Sequence, residues 1–491
     1  MHYFNKENTK LVFFSIFTVL ICYGFALTNY SLSVDNEFPV YPNSSLELGR
    51  WGTNFIRYHI FHGHYPYFTL LLSLLILALA ATEIASIFKL NGIKAYLFCG
   101  LFLTFPQMAY QMVFIMQSDG IALGFLLSAV ALKLFIQSSY NFLKLSSILN
   151  LLGAAFILMF VIAIYQGLVL IPVIIYLVYF LQKTFNEDFK FKTEFKNSLF
   201  FGGMMVAALV LYFISAKILC PPAPEGGYLS SYLTGSDTSN RFSSFLSLWG
   251  KNLIGTRYYG DTTFIFGTVA ALAVLVKFAL SKKHFLLRSL ILILLLLLPF
   301  AFSFFITNGY HPPRIYLTSG LVYAFFISFL IDSIKFEKQY LILCTLICVA
   351  NIFFVTNLYY SNYQISNHDK ELAKKMDAYI HEKYPEFNPA TDYVFFYGGL
   401  PYEHHANFAL KDSEVFGGSI FSWGGGGNFR IICLFSSYDI AYYRYLGERD
   451  KYFKAKEDAI KMPVWPDKES VQKFGDVIIV KLNNQEGQPL F

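Results

Sequence analysis

Charged residues are scarce in this sequence. Asp, Glu, Lys and Arg make up 14% of the 491 residues, whereas hydrophobic residues make up 55%. Soluble domains carry roughly 25% charged residues, so the composition indicates an integral membrane protein. The net charge of +6 does not indicate nucleic-acid binding, because most lysines fall in short loops between apolar runs, where membrane orientation accounts for them.

Motifs of several enzyme classes are also missing. The chain has no Cys-x-x-Cys pair and no metal-type spacing of ligands. No P-loop precedes a helix, which argues against a nucleotide substrate, and there is no Gly-x-Ser-x-Gly elbow. Four of the six cysteines fall in apolar runs and are typical of small core residues. Cys220 and Cys433 lie outside such runs and could pair, although nothing near them in the sequence supports a disulfide.

Long apolar runs, by contrast, are abundant. A helix that crosses a membrane needs about 20 mostly apolar residues. The sequence predicts about eleven such helices, at 11–27, 67–88, 95–115, 120–137, 148–164, 168–182, 197–217, 263–280, 289–306, 315–333 and 340–357. The first run lacks a small-residue cleavage site after it, so we interpret it as a retained span. Only YQGL separates the fifth run from the sixth, and we interpret these two as a hairpin.

Lysine placement predicts the orientation of these spans. The short loops on the side of the N-terminus are rich in Lys, which is typical of the cytoplasmic side. Among the opposite short loops, MQSDG, YQGL and NGYHPPR, the only Lys or Arg residue is Arg314. This alternation puts the long segments 28–66, 218–262 and 358–491 on the outer side of the membrane. Any chemistry is therefore expected outside.

The last segment differs in kind from the rest. An amphipathic helix is predicted at 366–384, with Leu372, Met376 and Ile380 on one stripe. DYVFFYGG and DVIIVKL are typical of buried strands, and SWGGGGNF of a flexible loop. We therefore predict a transmembrane domain at 1–357, which includes the outer loops 28–66 and 218–262, and a small external α/β domain at 358–491.

Two acids follow the first span. Asp35 and Glu37 in SLSVDNEF are two residues apart, and alternation along an extended segment would put both carboxylates on one side. One carboxylate could then accept a proton from a hydroxyl nucleophile, while its neighbour raises the pKa of the first or holds a metal. The alternative is simple solvation of the membrane interface.

The rest of the first outer loop predicts a helix lying in the membrane surface. Its apolar side would comprise Leu46, Leu48, Trp51, Phe55 and Ile56, with Arg50 and Arg57 off that side. His59, His62 and His64 could bind a metal, but His-x-x-His-x-His is a weak zinc pattern.

Two further outer turns hold candidate residues. Asp119 in MQSDG either belongs to the same site or caps a helix that begins at Gly120. Arg314 in NGYHPPR follows two prolines that stiffen the turn. Its fork of donors suits a phosphate, although an arginine there could also anchor the chain to lipid head groups.

The chain resembles the Gtr type II family of bacterial and phage-encoded O-antigen glucosyltransferases, which are similar to the GT-C superfamily. The residues that carry the resemblance are SVDNE after the first span, LGRWG in the same loop, the Asp of QSDG, IYQG at the fifth span and the closing DVIIVKL. The layout matches along nearly the whole chain, but the motifs are short.

The resemblance implies a polytopic GT-C-like protein of the bacterial inner membrane whose acidic motif, here Asp35 and Glu37, is catalytic. It implies a sugar donor linked to undecaprenyl phosphate and an O-antigen acceptor on the periplasmic side. The external domain would bind the acceptor, for which we select Lys481 together with Trp51. A second acid is typical of GT-C enzymes and corresponds to Asp119. Some of these enzymes use a divalent metal ion, but no ligand set can be assigned here.

The sequence therefore predicts a membrane glycosyltransferase. Asp35 or Glu37 would deprotonate an acceptor hydroxyl, which attacks the anomeric carbon in one inverting step, and Arg314 or Arg50 would hold the leaving phosphate. A lipid-linked sugar flippase or transporter is the rival, and an O-antigen polymerase or ligase is a third possibility. Transporters usually place ionisable groups at mid-membrane, whereas Glu83 lies near the inner end of its span.

Overall fold

The structure is a computed structural model that describes residues 6–38, 42–63, 65–138, 144–222, 238–306, 311–400 and 410–487. The chain forms two compact units. The first comprises Met1–Leu27 and Tyr41–Thr356, and the second comprises Thr28–Val40 and Asn357–Phe491. The start of the first outer loop therefore groups with the C-terminal segment, whereas the sequence analysis assigned all of 28–66 to the transmembrane domain. Leu32 accounts for this grouping, because it packs in the core of the second unit and its amide donates to Ser366 Oγ at 2.8 Å.

The first unit is helical. Its α-helices are α1 Lys6–Cys22, α2 Gly24–Thr28, α3 Pro42–Glu47, α4 Trp51–Asn54, α5 Pro66–Ile87, α6 Ile93–Thr104, α7 Pro106–Met112, α8 Ile115–Gln137, α9 Leu145–Ile164, α10 Leu170–Lys183, α11 Phe191–Leu219, α12 Thr238–Leu253, α13 Phe264–Ser281, α14 Phe285–Leu297, α15 Thr318–Leu330 and the start of α16 Glu337–Lys383. A π-helical turn at Phe55–Ile60 extends α4. Short 3₁₀ turns lie at Gln166–Val169, Asp261–Thr263, Leu298–Phe304, Pro313–Tyr316 and Ile331–Ser333.

Eight helical segments among the described residues are long and apolar enough to cross a membrane: Pro66–Ile87, Ile115–Gln137, Leu145–Ile164, Gln166–Lys183, Phe191–Leu219, Asp261–Ser281, Phe285–Phe304 and Glu337–Lys383. Each coincides with a predicted span. Two other predicted spans coincide with the shorter apolar helices Ile93–Thr104 and Thr318–Ser333, and the first with α1 and α2. The chain is thus mostly helical, with several potential membrane-spanning helices.

Proline and glycine explain where predicted helices are interrupted. The run 95–115 breaks at Phe105, whose extended backbone (ψ 128°) is favoured in a residue that precedes proline. The single surface helix predicted in the first outer loop is wrong, because α3 ends at Glu47 and α4 starts at Trp51. Gly49 lies between them at φ +71°, and a Cβ there would lie 2.8 Å from the Tyr212 hydroxyl. Only glycine adopts such a conformation freely.

The second unit contains a small sheet between helices. Its strands are β1 Tyr393–Tyr397, β2 Arg444–Tyr445, β3 Val471–Phe474 and β4 Val477–Lys481, in the order β2-β1-β4-β3. Strand β1 is parallel to β2 and β4, and β3 is antiparallel to β4. Helices α17 Asn428–Ser437 and α18 Arg449–Lys461 complete the unit with short 3₁₀ turns at Glu414–Gly417, Trp423–Gly425 and Lys468–Ser470. Both predicted strands are confirmed by β1 and β4.

The two faces of the sheet carry separate cores. On one face, Val394 and Phe396 pack with α17 and with the predicted stripe of Leu372, Met376 and Ile380. On the other face, Phe395 and Ile479 pack with α18. Alternation along the strands explains this division. The sequence predicted a separate helix for this stripe. In the structure the stripe lies on the last turns of the 47-residue helix α16.

Candidate functional site

Asp35 and Glu37 lie in the second unit and share one partner, Arg430 of α17. Arg430 Nη2 lies 2.7 Å from Asp35 Oδ1, and Arg430 Nη1 donates to Glu37 Oε1. The sequence predicted an extended segment at the two acids, but the structure has a turn there. Asp35 adopts φ +74°, and the Asn36 amide donates to the Ser33 carbonyl. The turn nevertheless leaves both carboxylates within reach of one guanidinium group.

Arg430 is itself held in place by aromatic packing. Its guanidinium carbon lies 4.5 Å from the centre of the Phe38 ring, and Phe38 stacks on Phe429 with ring centres 5.8 Å apart. The hydroxyl of Ser437, the last residue of α17, donates to the Glu37 carbonyl at 3.0 Å. Helix α17 therefore fixes both the backbone and the side chain of Glu37.

The two acids have different surroundings. The Asp35 side chain is 35% exposed, whereas that of Glu37 is fully buried. The pKa of Glu37 is raised to about 7, mainly because the carboxyl group is buried. The charge of Arg430 lowers this pKa, and the charge of Asp35 contributes to the rise. Glu37 Oε2 has no hydrogen-bond partner among the described residues. A carboxyl group with a pKa near neutrality and an unoccupied oxygen is suited to accept a proton.

Asp119 lies in the first unit and pairs with Arg57. Arg57 Nη2 lies 2.6 Å from Asp119 Oδ1, and both side chains are 4% exposed. The guanidinium also donates to the carbonyls of Met116 and Gly63. One of the two alternatives for Asp119 is excluded, because it does not cap a helix that begins at Gly120; α8 begins at Ile115. Asp119 Oδ2 has no partner among the described residues.

Arg50 contacts the segment that joins α9 to α10. Its Nε lies 3.3 Å from Gln166 Oε1, and its guanidinium carbon lies 4.7 Å from the centre of the Tyr165 ring. Gln166 in turn donates to Leu48 O at 2.7 Å and to the Tyr212 hydroxyl at 2.9 Å. This network ties the first outer loop to the IYQG segment, and it orients Arg50 toward Tyr165.

Arg314 reaches the same segment from the 3₁₀ turn Pro313–Tyr316. Its guanidinium carbon lies 4.8 Å from the Phe114 ring centre. Together with Tyr165, Gly167, Thr318 and aliphatic side chains, Arg314 lines a small cleft. Tyr165 is thus a neighbour of both predicted phosphate-binding arginines. A cleft with one guanidinium group and an apolar wall suits an amphiphilic anion.

Comparison with known families identifies the chain. A family model described as glucosyl transferase GtrII matches residues 24–329, more than half of the sequence. The chain belongs to the glucosyl transferase GtrII family. No curated protein and no solved structure is significantly similar to it.

The GtrII match supports a glycosyltransferase role and confirms the family resemblance inferred from the sequence. The matched range contains six of the predicted site residues: Asp35, Glu37, Arg50, Trp51, Asp119 and Arg314. Arg430 and Lys481 lie beyond it.

The two residues selected for acceptor binding have structural contacts. Lys481 is buried, and its ammonium group donates to the carbonyls of Ile460 and Met462. It therefore caps the end of α18, and its role in acceptor binding stays a prediction. Trp51 is half-buried. Its indole N–H donates to Ser215 Oγ at 3.1 Å, and its ring packs on Phe160.

The described residues contain no group of three or more His, Cys, Asp or Glu side chains that could hold a metal ion. His64, one of the three histidines of the predicted cluster, lies outside the described residues. The acidic pair does not fit a metal either, because Arg430 occupies an oxygen of each carboxylate. All six cysteines are free thiols, including Cys220 and Cys433.

The residue that sequence reasoning missed in this GtrII-family chain is Arg430. It follows Asp35 by 395 positions, so no local motif joins the two. A signal was nevertheless present. Arg430 is the one charge in NFRIICLF, and a charged residue in an otherwise apolar helix is rarely buried without a partner.

Proposed function

We propose that this chain transfers a sugar, glucose being our first choice, from undecaprenyl-phosphate-sugar to an O-antigen or other surface polysaccharide at the periplasmic face of the inner membrane. Membership of a glucosyl transferase family supports sugar transfer, and the lysine distribution supports an outward-facing site. The proposal includes a GT-C-like arrangement of about eleven spans, of which the eight long apolar helices support the larger part.

The proposed reaction is a single displacement with inversion. Glu37 takes the proton of an acceptor hydroxyl as its oxygen bonds to the anomeric carbon. The bond between that carbon and the phosphate oxygen breaks, and polyprenyl phosphate leaves with the electron pair and the negative charge. Glu37 returns its proton to water afterwards. General-base catalysis of this kind contributes about 10²–10⁴-fold.

The observation that carries the proposal is the state of Glu37. Its buried carboxyl group has a pKa raised to about 7, so it is largely ionised in mildly alkaline solution and still basic enough to take a proton. Glu37 Oε2 has no partner among the described residues and is the atom we assign to the hydroxyl proton. Asp35 and Arg430 are assigned to positioning.

The leaving phosphate is assigned to the cleft of the first unit. A phosphate binds best to a fork of planar donors, and Arg314 lines this cleft beside aliphatic side chains that suit an isoprenoid chain. Arg50, which stacks on Tyr165 of the same cleft, is the second choice. Donors fixed before the reaction stabilise a charge that develops during it.

A lipid-linked sugar flippase or transporter is less well supported. Glu83, the acid noted within a predicted span, forms an ion pair with Lys133, so the two charges compensate each other. Unpaired ionisable groups at mid-membrane would have favoured coupled transport. An O-antigen polymerase or ligase shares donor lipid and compartment, and the experiment below separates it.

Sugar transfer can be tested in membrane vesicles that contain the chain, supplied with undecaprenyl-phosphate-glucose and lipopolysaccharide. We expect mass spectrometry of the released O-antigen to show an added hexose on repeat units with unchanged chain length. Vesicles with Glu37→Gln serve as the matched control. Longer chains without added hexose would indicate a polymerase, and donor translocation without any transfer would indicate a flippase; either outcome overturns the proposal.

A further inference from the structure

Helix α12, in the segment between the apolar helices α11 and α13, is amphipathic. Its large apolar residues recur every three or four positions, and they are Phe242, Phe245, Leu246, Trp249 and Leu253. On a helix this spacing puts them on one face. The opposite face carries serines at 243, 244 and 247 together with Lys251, and all four are exposed. The helix therefore has one apolar face and one polar face.

The C-terminal end of α12 lies beside the next apolar segment and not beyond its end. The Thr268 hydroxyl donates to the Leu253 carbonyl at 2.6 Å. Thr268 follows Asp261, the first residue of the segment Asp261–Ser281, by seven positions, which corresponds to about 10 Å along a helix. Leu253 therefore lies about 10 Å inside the length of a helix that is long and apolar enough to cross a membrane.

A second contact gives a similar depth. The indole N–H of Trp249, one turn before Leu253, donates to the Leu296 carbonyl at 3.1 Å. Leu296 precedes the last residue of the segment Phe285–Phe304 by eight positions, or about 12 Å. Residues 282–284 join the two segments at their other ends, so both depths are measured from one side. Since two residues one turn apart lie at similar depths, α12 runs across the spans and not along them.

Only part of the apolar face of α12 is covered by protein. Phe245 packs edge-on against Phe304, with ring centres 6.4 Å apart. Phe242 and Leu246 are 56% and 41% exposed, and Phe304 itself is 38% exposed. The uncovered part of the face is therefore continuous with the exposed apolar surface of the segment Phe285–Phe304, which is the surface that lipid would contact.

We propose that α12 lies within one leaflet of the membrane, parallel to its surface, and that Phe242 and Leu246 contact the acyl chains of phospholipids. The leaflet is the one opposite residues 282–284, the outer leaflet in the proposed orientation. Amphipathic helices at a membrane surface bury their apolar face about 5–10 Å into the lipid, which agrees with the depth of the two contacts. The serine face would lie toward the head groups, where the long side chain of Lys251 can reach water.

This position bears on the candidate phosphate cleft. Phe300 belongs to the same 3₁₀ turn as Phe304, and its ring centre lies 5.2 Å from that of Tyr316. Tyr316 is in the turn that carries Arg314. Lipid contact by α12 would therefore help to hold Arg314 at a constant depth in the membrane.

Nitroxide labels can test the assignment in the full chain with Cys220→Ser, in vesicles of phosphatidylethanolamine and phosphatidylglycerol without polyprenyl lipid. Phe242→Cys and Leu246→Cys place labels on the apolar face. Ser247→Cys is the matched control, because Ser247 is exposed on the polar face of the same helix. Collisions with oxygen, which concentrates among acyl chains, and with a water-soluble nickel chelate measure the depth of each label. Protein with Cys220→Ser alone gives the background labelling.

We expect the labels at 242 and 246 to lie roughly 5–10 Å below the lipid phosphates, and the label at 247 to lie at the phosphates or above them. Three results would overturn the proposal: equal access of the chelate to all three labels, shielding of 242 and 246 from both reagents, which would mean that protein covers this face, or equal depth of all three labels. If Phe242→Cys does not fold, Leu246→Cys alone decides. No sugar is involved, so the result is independent of sugar transfer.

Discussion

Arg57 and Arg430 both pair with carboxylates, one in each unit, but their surroundings differ. Arg57 faces one acid, and backbone carbonyls take its remaining donors. Arg430 faces two acids, so the cluster carries an excess negative charge, and one of these acids is fully buried.

The number of charges and the burial of Glu37 distinguish the two clusters. A buried pair of one cation and one anion is neutral, and its main effect is on folding. In the second cluster, burial raises the pKa of Glu37 to about 7, and the charge of Asp35, which shares the same guanidinium group, adds to this rise. The comparison suggests that Arg57–Asp119 stabilises the first unit, whereas Asp35, Glu37 and Arg430 are suited to proton transfer.

The largest expected effect is on Glu37. We predict that Glu37→Gln lowers sugar transfer by about 100-fold or more, because general-base catalysis contributes about 10²–10⁴-fold. Asp35→Asn should lower it less, since Asp35 is partly exposed and has a positioning role. Transfer is measured in membranes, with a blot to compare amounts of protein. Full activity in both single variants and in the double variant would show that neither acid has a catalytic role.

The next effect is on stability in the first unit. Arg57→Met leaves Asp119 buried without its cation, and breaking a buried pair typically costs about 3–5 kcal/mol. We expect less folded protein in the membrane, with partial recovery when Asp119→Leu is added. Lys374→Ala, which removes an exposed pair with Glu371, is the control and should change nothing measurable. If Asp119→Asn instead leaves the amount of protein intact and abolishes transfer, Asp119 belongs to the catalytic machinery.

A third arginine, Arg314, extends the comparison to the cleft beside Tyr165. Arg314→Lys keeps the charge but loses the fork, and we expect roughly tenfold weaker use of the donor, seen as a higher KM. Arg444→Lys is the control, because Arg444 also stacks on an aromatic ring, 4.2 Å from the centre of Tyr393. Equal KM values in the two variants would return Arg314 to the role of a head-group anchor.

The smallest effect is a shift in pH dependence. Only ionised Glu37 accepts a proton, so transfer should fall as the pH decreases through about 7. Arg430 lowers the pKa of Glu37 and Asp35 raises it. The midpoint should therefore move to higher pH in Arg430→Gln and to lower pH in Asp35→Asn. Rate profiles of both variants measure this. Shifts of the same sign, or none, would contradict the assignment of Glu37 as the base.

Much of the fold could be predicted from the sequence, because hydropathy and strand patterns are local. The eight long apolar helices coincide with predicted spans, and DYVFFYGG and DVIIVKL contain β1 and β4. The stripe of α16 packs as its spacing predicts. The interruption at Gly49 was missed, because apolar periodicity continues across this residue, whereas its contact with Tyr212 joins positions far apart in the sequence.

The candidate site depended more on tertiary structure. Residue type alone indicated Asp35 and Glu37 as catalytic candidates, since acidic residues directly after an apolar run are uncommon. Residue type also nominated Lys481, but the structure buries this lysine at the end of α18. The sequence alone does not distinguish an accessible lysine from one whose ammonium group caps a helix, because this difference depends on the position of α18 in the structure.

Composition and the spacing of apolar runs thus determined the membrane class, the approximate spans and the acids worth testing, because burial in lipid acts on each segment separately. Only the tertiary structure decided which charges meet. Arg430 follows Glu37 by 393 positions, and Asp119 follows Arg57 by 62. The pKa and the free oxygen of Glu37 depend on those contacts, since electrostatic interaction falls with distance in space and not with separation along the chain.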